Sequence, residues 1–338
     1  MKKSKILLLA IATVFAMVAI LSGCGSQKTT APATGPKYKL KLATQLPDGH
    51  PIPQTVLLYA KKVNERSKGE IEITVFNNGA LGQERDLVEG MKIGTVDMAD
   101  VSSALMTSFA PRWQLFSLPY IFQSEEHMNA VVNGPIGQQL FKELESSGLK
   151  GLSYQWSGFR NITTKKGPIN APDDLKGLKI RTMPSKIMVD AVNAMGAIAT
   201  PMDQGAVYSA LQSGILDGWE NNESTVLSFK MQEVCPYFSY TKHFSTPNIL
   251  LMSQKSWAKL SPEAQKIIME VAAEVQKDES EILHKSEKQI VENLIATGAK
   301  FNEVNTQPFF EKAKPLWKSL EDVVGKQTFV EIENLRTK

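Results

Sequence analysis

The 338-residue chain is poor in the residues that build compact chemistry. It has two cysteines, Cys24 and Cys235, so no framework of disulfides supports the fold. Its four histidines are His50, His127, His243 and His284, and none stands at metal-ligand spacing from another His or a Cys. There is no G-x-S-x-G elbow, no G-x-G-x-x-G after a strand and no Walker loop. The pair Glu125-Glu126 falls at a helix start and reads as a solvated first turn. No metal or cofactor is therefore expected, and the simplest enzyme hypotheses fall away. Acid–base sites carry no local signature, so an exported two-lobe α/β enzyme stays as an alternative.

Long apolar runs are missing too, except at the start. Lys2, Lys3 and Lys5 precede an almost wholly apolar stretch from Ile6 to Leu21. It is shorter than the ~20 residues of a spanning helix and suits an export signal. It ends in Leu21-Ser22-Gly23-Cys24, which resembles the lipobox of bacterial lipoproteins. That resemblance implies cleavage before Cys24, acylation of its thiol and a lipid-anchored, extracytoplasmic protein, on the outer face of a membrane or in a periplasm. Cys235 would then have no intramolecular partner. Residues 1–23 are read as the signal and 24–36 as a flexible tether of small and polar residues. Loss of the signal removes three lysines and no acid, which leaves 35 residues of each sign. A neutral mature chain gives no support to nucleic-acid binding.

What is present is a strand–helix pattern used twice. Lys37–Gln45 alternates with period two, Pro51–Ser67 has helical spacing, Ile71–Phe76 alternates again, and Gln83–Ile93 is helical before a strand that ends near Ser102. The order recurs with a strand at Leu178–Arg181, a helix at Ser185–Met195, a short strand at Ala197–Pro201, a helix at Asp203–Gln212 and a last strand after Gly214. Alternation of this kind predicts parallel sheets in two similar α/β lobes. The expected lobes are 37–157 with 247–285, and 158–246 with 286–338. Ser261 as N-cap and Pro262 at the first position open a long helix to Thr297. At about 1.5 Å per residue it would run roughly 54 Å, so it should cross both lobes or break between them. Its polar middle, Lys277–Lys288, excludes a sustained coiled-coil seam. Pro315 opens a last short helix over Leu316–Val324.

In open α/β sheets ligands bind beyond the carboxyl ends of the strands. That rule selects Thr44, Gln45 and Val101–Ser103 in the first lobe, and Arg181, Thr182 and Asn221 in the second, which face each other across a cleft. Arg181 is the most informative, because a guanidinium holds a carboxylate through two parallel hydrogen bonds. Arg160 is a second candidate, and Asn221 offers both a donor and an acceptor. For each, a salt bridge or turn role is the plain alternative.

Six stretches in order carry a resemblance, from about Lys39 to Gly298. They are NNGALGQERDLVEG (Asn77–Gly90), Leu118-Pro119-Tyr120, GFRNITT (Gly158–Thr164), PDDLKGLKIR (Pro172–Arg181), YSALQSG (Tyr208–Gly214) and DGWEN (Asp217–Asn221). The chain resembles the solute-binding proteins of tripartite ATP-independent periplasmic (TRAP) transporters, of the C4-dicarboxylate-binding type. The resemblance implies a periplasmic-binding-protein-like fold with a long C-terminal helix across both lobes. It implies capture of a small carboxylate by hinge closure, with delivery to small and large membrane subunits. The position matching Arg181 would clamp the carboxylate, with Arg160 and Asn221 adding hydrogen bonds. Glu84 and Ser102 match ligand-touching positions in sialic-acid and sugar-acid members. An acid often stands where Ser102 does in sialic-acid binders, so sialic acid is disfavoured. His50 is a ligand contact or a helix cap, and Phe159 and Trp219 either wall the pocket or pack in the core. A sugar acid is favoured slightly over a C4-dicarboxylate. A binding protein for an ATP-driven importer or a sensor kinase is the nearest alternative.

Overall fold

A computed structural model describes residues 35–336. The signal, Cys24 and all but the end of the tether lie outside the described residues. Eleven strands are described: β1 (Tyr38–Thr44), β2 (Ile71–Phe76), β3 (Met98–Ser102), β4 (Leu149–Gln155), β5 (Arg160–Thr164), β6 (Lys179–Thr182), β7 (Ile198–Pro201), β8 (Gly218–Asn221), β9 (Tyr237–Phe244), β10 (Asn248–Ser253) and β11 (Lys300–Glu303). They form two sheets, in the orders β2-β1-β3-β10-β4 and β11-β9-β5-β8-β6-β7.

The sheets are mixed, not parallel throughout as the strand–helix alternation led one to expect. β1 is parallel to β2 and β3, and β6 is parallel to β7 and β8. β10 runs antiparallel to β3 and β4, and β5 antiparallel to β8 and β9. The reason lies in the two crossings between sheets. The chain leaves the first sheet at the end of β4 and enters the second at the start of β5. It returns from the end of β9 to the start of β10. A strand that enters from the other lobe begins where its neighbours end, so it must run against them.

The third crossing is the helix Pro262–Ala296, 35 residues long and unbroken, with the Ser261 side chain accepting from the Ala264 amide. Its first half buries Ile267, Ile268, Val271 and Val275 against Leu42, Met98 and Leu250 of the first sheet. Its end buries Ile290 and Leu294 beside Trp219 and Phe238 of the second. One helix therefore belongs to two cores, as its length required.

The C-terminus departs from the expected boundary. The single short helix over Leu316–Val324 is instead two, Pro315–Ser319 and Glu321–Val324, and a further helix follows at Lys326–Leu335. Leu320, Val324 and Ile332 join the core of the first sheet with Leu115 and Val131, and the Ile332 carbonyl lies 2.9 Å from His127 Nε2. The sequence placed 286–338 with the second lobe. The apolar stripe of these helices shows that they pack, but the lobe that receives them is fixed by shape at a distance. Cys235 is buried and free, and burial pushes its thiol up to about 12.

Candidate functional site

Where the strand ends of the two sheets face each other they enclose a cavity lined by Glu84, Ser102 and His50 from one side and Arg160, Arg181 and Asn221 from the other. Six of the eight expected ligand contacts thus come together.

Arg181, near the end of β6, is 2% exposed. Its Nε donates to the Met202 carbonyl at 2.7 Å and Nη1 faces Gln204 Oε1 at 3.4 Å. Among the described residues it has no carboxylate in salt-bridge contact. Burial lowers its pKa to about 10, against the pull of Glu220, Glu84 and Asp203. It therefore stays charged at neutral pH, a desolvated cation in want of an anion.

Arg160 is different. It begins β5, beside β8, and Nε donates to Glu220 Oε2 at 2.5 Å while Nη2 reaches Oε1 and the Glu220 carbonyl, both at 2.9 Å. The fork is closed on a carboxylate that is itself fully buried. His243 Nε2 lies 3.9 Å from Glu220, too far for a hydrogen bond, and Nδ1 meets Thr241 Oγ1 at 2.8 Å. Burial, and then the Arg160 charge, push His243 down to about 3, so it is neutral. Asn221 Oδ1 accepts from the Asn222 amide at 2.9 Å.

On the opposite wall, Glu84 is the first residue of the helix Glu84–Ile93, and its Oε1 accepts from the Ser102 amide at 2.9 Å. Burial raises its pKa, and the Ser102 amide and the charges of Arg181 and Arg160 partly offset this. Ser102 ends β3, and its Oγ accepts from the Ala104 amide at 3.4 Å. His50 caps the helix Pro51–Arg66 by accepting from the Ile52 amide at Nδ1, 3.2 Å. That leaves Nε2–H to donate across the cleft to Thr225 Oγ1 at 3.2 Å. Burial pushes its pKa down to about 3. His50 is thus both a cap and a wall of the cavity. A second bond between the lobes runs from the Gly205 amide to Gln83 Oε1 at 3.1 Å, so the structure has a closed cleft.

Two expected contacts are elsewhere. Trp219 is fully buried, in a core with Val207, Leu211 and Phe238. It sits within β8 under the helix Val207–Gln212, and only Asn221, at the strand end, reaches the cavity. Phe159 meets Trp156 edge-on at 5.2 Å and lines another cavity of about 700 Å³. Successive side chains in extended backbone point to opposite sides, so where Arg160 faces the cleft Phe159 turns away. That larger cavity shares Ser157 and Asn222 with the first but takes in neither Arg160 nor Arg181. The smaller one holds the convergent buried charges and is the better site.

Glu220, Asp203, Gln204 and Thr225 were not singled out from sequence. The strand-end rule also selects the loop after β7, which would have found Asp203 and Gln204. Nothing local marks Glu220 as the partner of an Arg 60 residues away. Among the described residues no group of three His, Cys, Asp or Glu is placed to hold a metal, and no described helix is long and apolar enough to cross a membrane.

The chain matches the model of bacterial extracellular solute-binding proteins, family 7, over residues 42–322. A solute-binding protein of Chromohalobacter salexigens is 32% identical over 272 residues, covering 80% of this chain and 81% of the relative. A TRAP periplasmic solute-binding protein from Pseudomonas putida F1, with bound D-glucuronate, superposes with a TM-score of 0.82 at 32% identity, covering 88% of this chain and 96% of the other. One from a Bradyrhizobium species, in complex with α/β-D-galacturonate, gives 0.84 at 32% identity, with coverage of 89% and 100%.

Proposed function

Because this chain belongs to family 7 of the bacterial extracellular solute-binding proteins, we propose that it captures a small sugar acid between its lobes and hands it to the small and large membrane subunits of a TRAP transporter. The observation that carries the reading is Arg181, a buried guanidinium in the cleft with no carboxylate partner of its own. A ligand carboxylate would supply the missing charge. Arg160, Asn221, Glu84, Ser102 and His50 would line the rest of the seat, and a C4-dicarboxylate is the rival occupant. The relatives of known structure named above carry uronates.

Closure would pivot on the segments between β4 and β5 and between β9 and β10, with the long helix as the third link. The solute would leave chemically unchanged. A thermal-shift panel of uronates, aldonates, 2-oxo acids, C4-dicarboxylates and neutral sugars, run on the chain from Ser26 onward, tests the reading. At about 100 times its dissociation constant a true ligand stabilises by about 2.7 kcal/mol. An acid that shifts the wild type but not Arg181→Ala names the class. A panel with no shift overturns the carboxylate reading.

The family is extracytoplasmic. We further propose that Cys24 carries the lipid, on the strength of Leu21-Ser22-Gly23-Cys24. Cys24→Ser should then move the protein from the membrane to the soluble fraction, and equal membrane retention would overturn this.

A further inference from the structure

Granted the carboxylate reading, charge and hydrogen bonding in the closed cleft also set which acids it takes. Of the three arginines that line the cavity, Arg160 and Arg181 are buried, but they are not equivalent. The Arg160 fork is closed on Glu220, and that pair is buried and neutral as a unit. Arg181 is the inner cation left for a ligand. Beside it stands Gln204, 6% exposed. Its Oε1 faces the Arg181 guanidinium at 3.4 Å, while its Nε2 is buried with no hydrogen-bond partner. The amide cannot be turned round to relieve this, since the turned form would set an NH2 group against the guanidinium. An orphan donor at the wall of a cavity is costly until an acceptor arrives.

The opposite wall carries the other sign. Glu84 is an acid there, beside Ser102, and it feels the charges of Arg181 and of Asp203. Asp203 and Arg85 stand at the rim, both exposed, where water and salt weaken them.

We propose that the Gln204 amide completes the carboxylate seat at Arg181, and that the cleft takes hydroxy acids with a single carboxylate in preference to their two-carboxylate counterparts. Once that carboxylate is seated, the one lining cation left without a carboxylate among the described residues is Arg85, which is exposed and screened by water and salt. The far end of the ligand meets Glu84, which accepts from a hydroxyl and repels a carboxylate. Gln204 sets specificity by supplying the donor that a neutral or misplaced head would leave unpaired.

The test is calorimetric titration of the chain from Ser26 onward with matched pairs: glucuronate and gluconate against glucarate, galacturonate and galactonate against galactarate. The expected result is that the best one-carboxylate acid binds at least about tenfold more tightly than its two-carboxylate partner. Gln204→Met, which keeps the bulk but loses the donor, should weaken that acid by about tenfold. It gives up the long 3.4 Å contact of Oε1 with Arg181 but no hydrogen bond of Nε2, so the melting temperature of the unliganded protein should fall by no more than about 2 °C; a larger fall would make the glutamine merely structural. Gln204→Glu should abolish the binding by closing on Arg181. Equal affinity within the pairs, or full affinity in Gln204→Met, would overturn the inference while the sugar-acid reading stood. Failure of every acid, with wild type and Arg181→Ala alike, would overturn both.

Discussion

The two lobes reach the cleft by different means: the second presents basic side chains from within its strands, and the first presents Glu84, Ser102 and His50 from helix starts and a strand end. Arg160 is held by the Glu220 carboxylate and carbonyl, and Arg181 by the Met202 carbonyl, so their positions are set before any ligand arrives. The first-lobe groups satisfy amides at the beginnings of turns and helices, and His50 to Thr225 and Gly205 to Gln83 are hydrogen bonds across the cleft. The difference teaches a division of labour. The second lobe is the preorganised anchor, and the first is the jaw that closes on it.

The strongest way to break the comparison is to remove the anchor's own support. Glu220→Ala leaves Arg160 buried without its counter-charge and should cost about 3–5 kcal/mol of stability in a denaturant titration. A loss below about 1 kcal/mol would mean that water reaches Arg160 and that the anchor is not rigid. Next comes Arg181→Ala, which should weaken ligand binding by about 2–5 kcal/mol without lowering the melting point of the unliganded protein. If the melting point fell with the affinity, Arg181 would be structural.

A smaller effect shows in the pH dependence of stability. Glu279, in the middle of the long helix, is 1% exposed, and among the described residues neither carboxylate oxygen meets a donor in good hydrogen-bond geometry, the Trp156 backbone giving only a weak offset. Burial, helped by the charges of Glu125 and Asp100, holds its pKa well above the usual carboxylate range. A raised folded pKa means that its contribution is complete below the unfolded value and is lost as pH rises through the folded one. His50 and His243, depressed to about 3, act in the other direction. Their contribution is complete above the unfolded value of about 6.5 and is lost as pH falls. Glu279→Gln should therefore flatten the fall of unfolding free energy that sets in above the ordinary carboxylate value of about 4.3, and leave the acid limb in place. An unchanged alkaline limb would sink this account. The smallest expected change tests the jaw. His50→Asn keeps a capping side chain but loses the reach to Thr225, so stability should drop by less than His50→Ala, which should cost about 1 kcal/mol. Weaker ligand binding in both variants would tie that contact to closure, and unchanged binding would leave His50 as a cap alone.

Much of this was legible from local sequence. The helix that begins at Ser261-Pro262, the strands at Tyr38 and Ile71, and the strand-end positions of Arg181, Ser102 and Asn221 follow from periodicity, caps and the topology rule. Phe159 and Trp219 were misplaced because an aromatic beside a binding residue looks the same whether its strand turns it inward or outward. The Asp203-Gln204 loop was passed over although the same rule covered it.

The sequence by itself determined which segments are helix and strand and which side chains stand at the strand ends, because those depend on neighbours a few residues apart. Only the tertiary structure decided that Arg160 is neutralised while Arg181 is free, that the entering strands run antiparallel, and that the last helices return to the first lobe. Each of those depends on which groups meet across distant stretches of chain. A buried charge is defined by the partner it finds there.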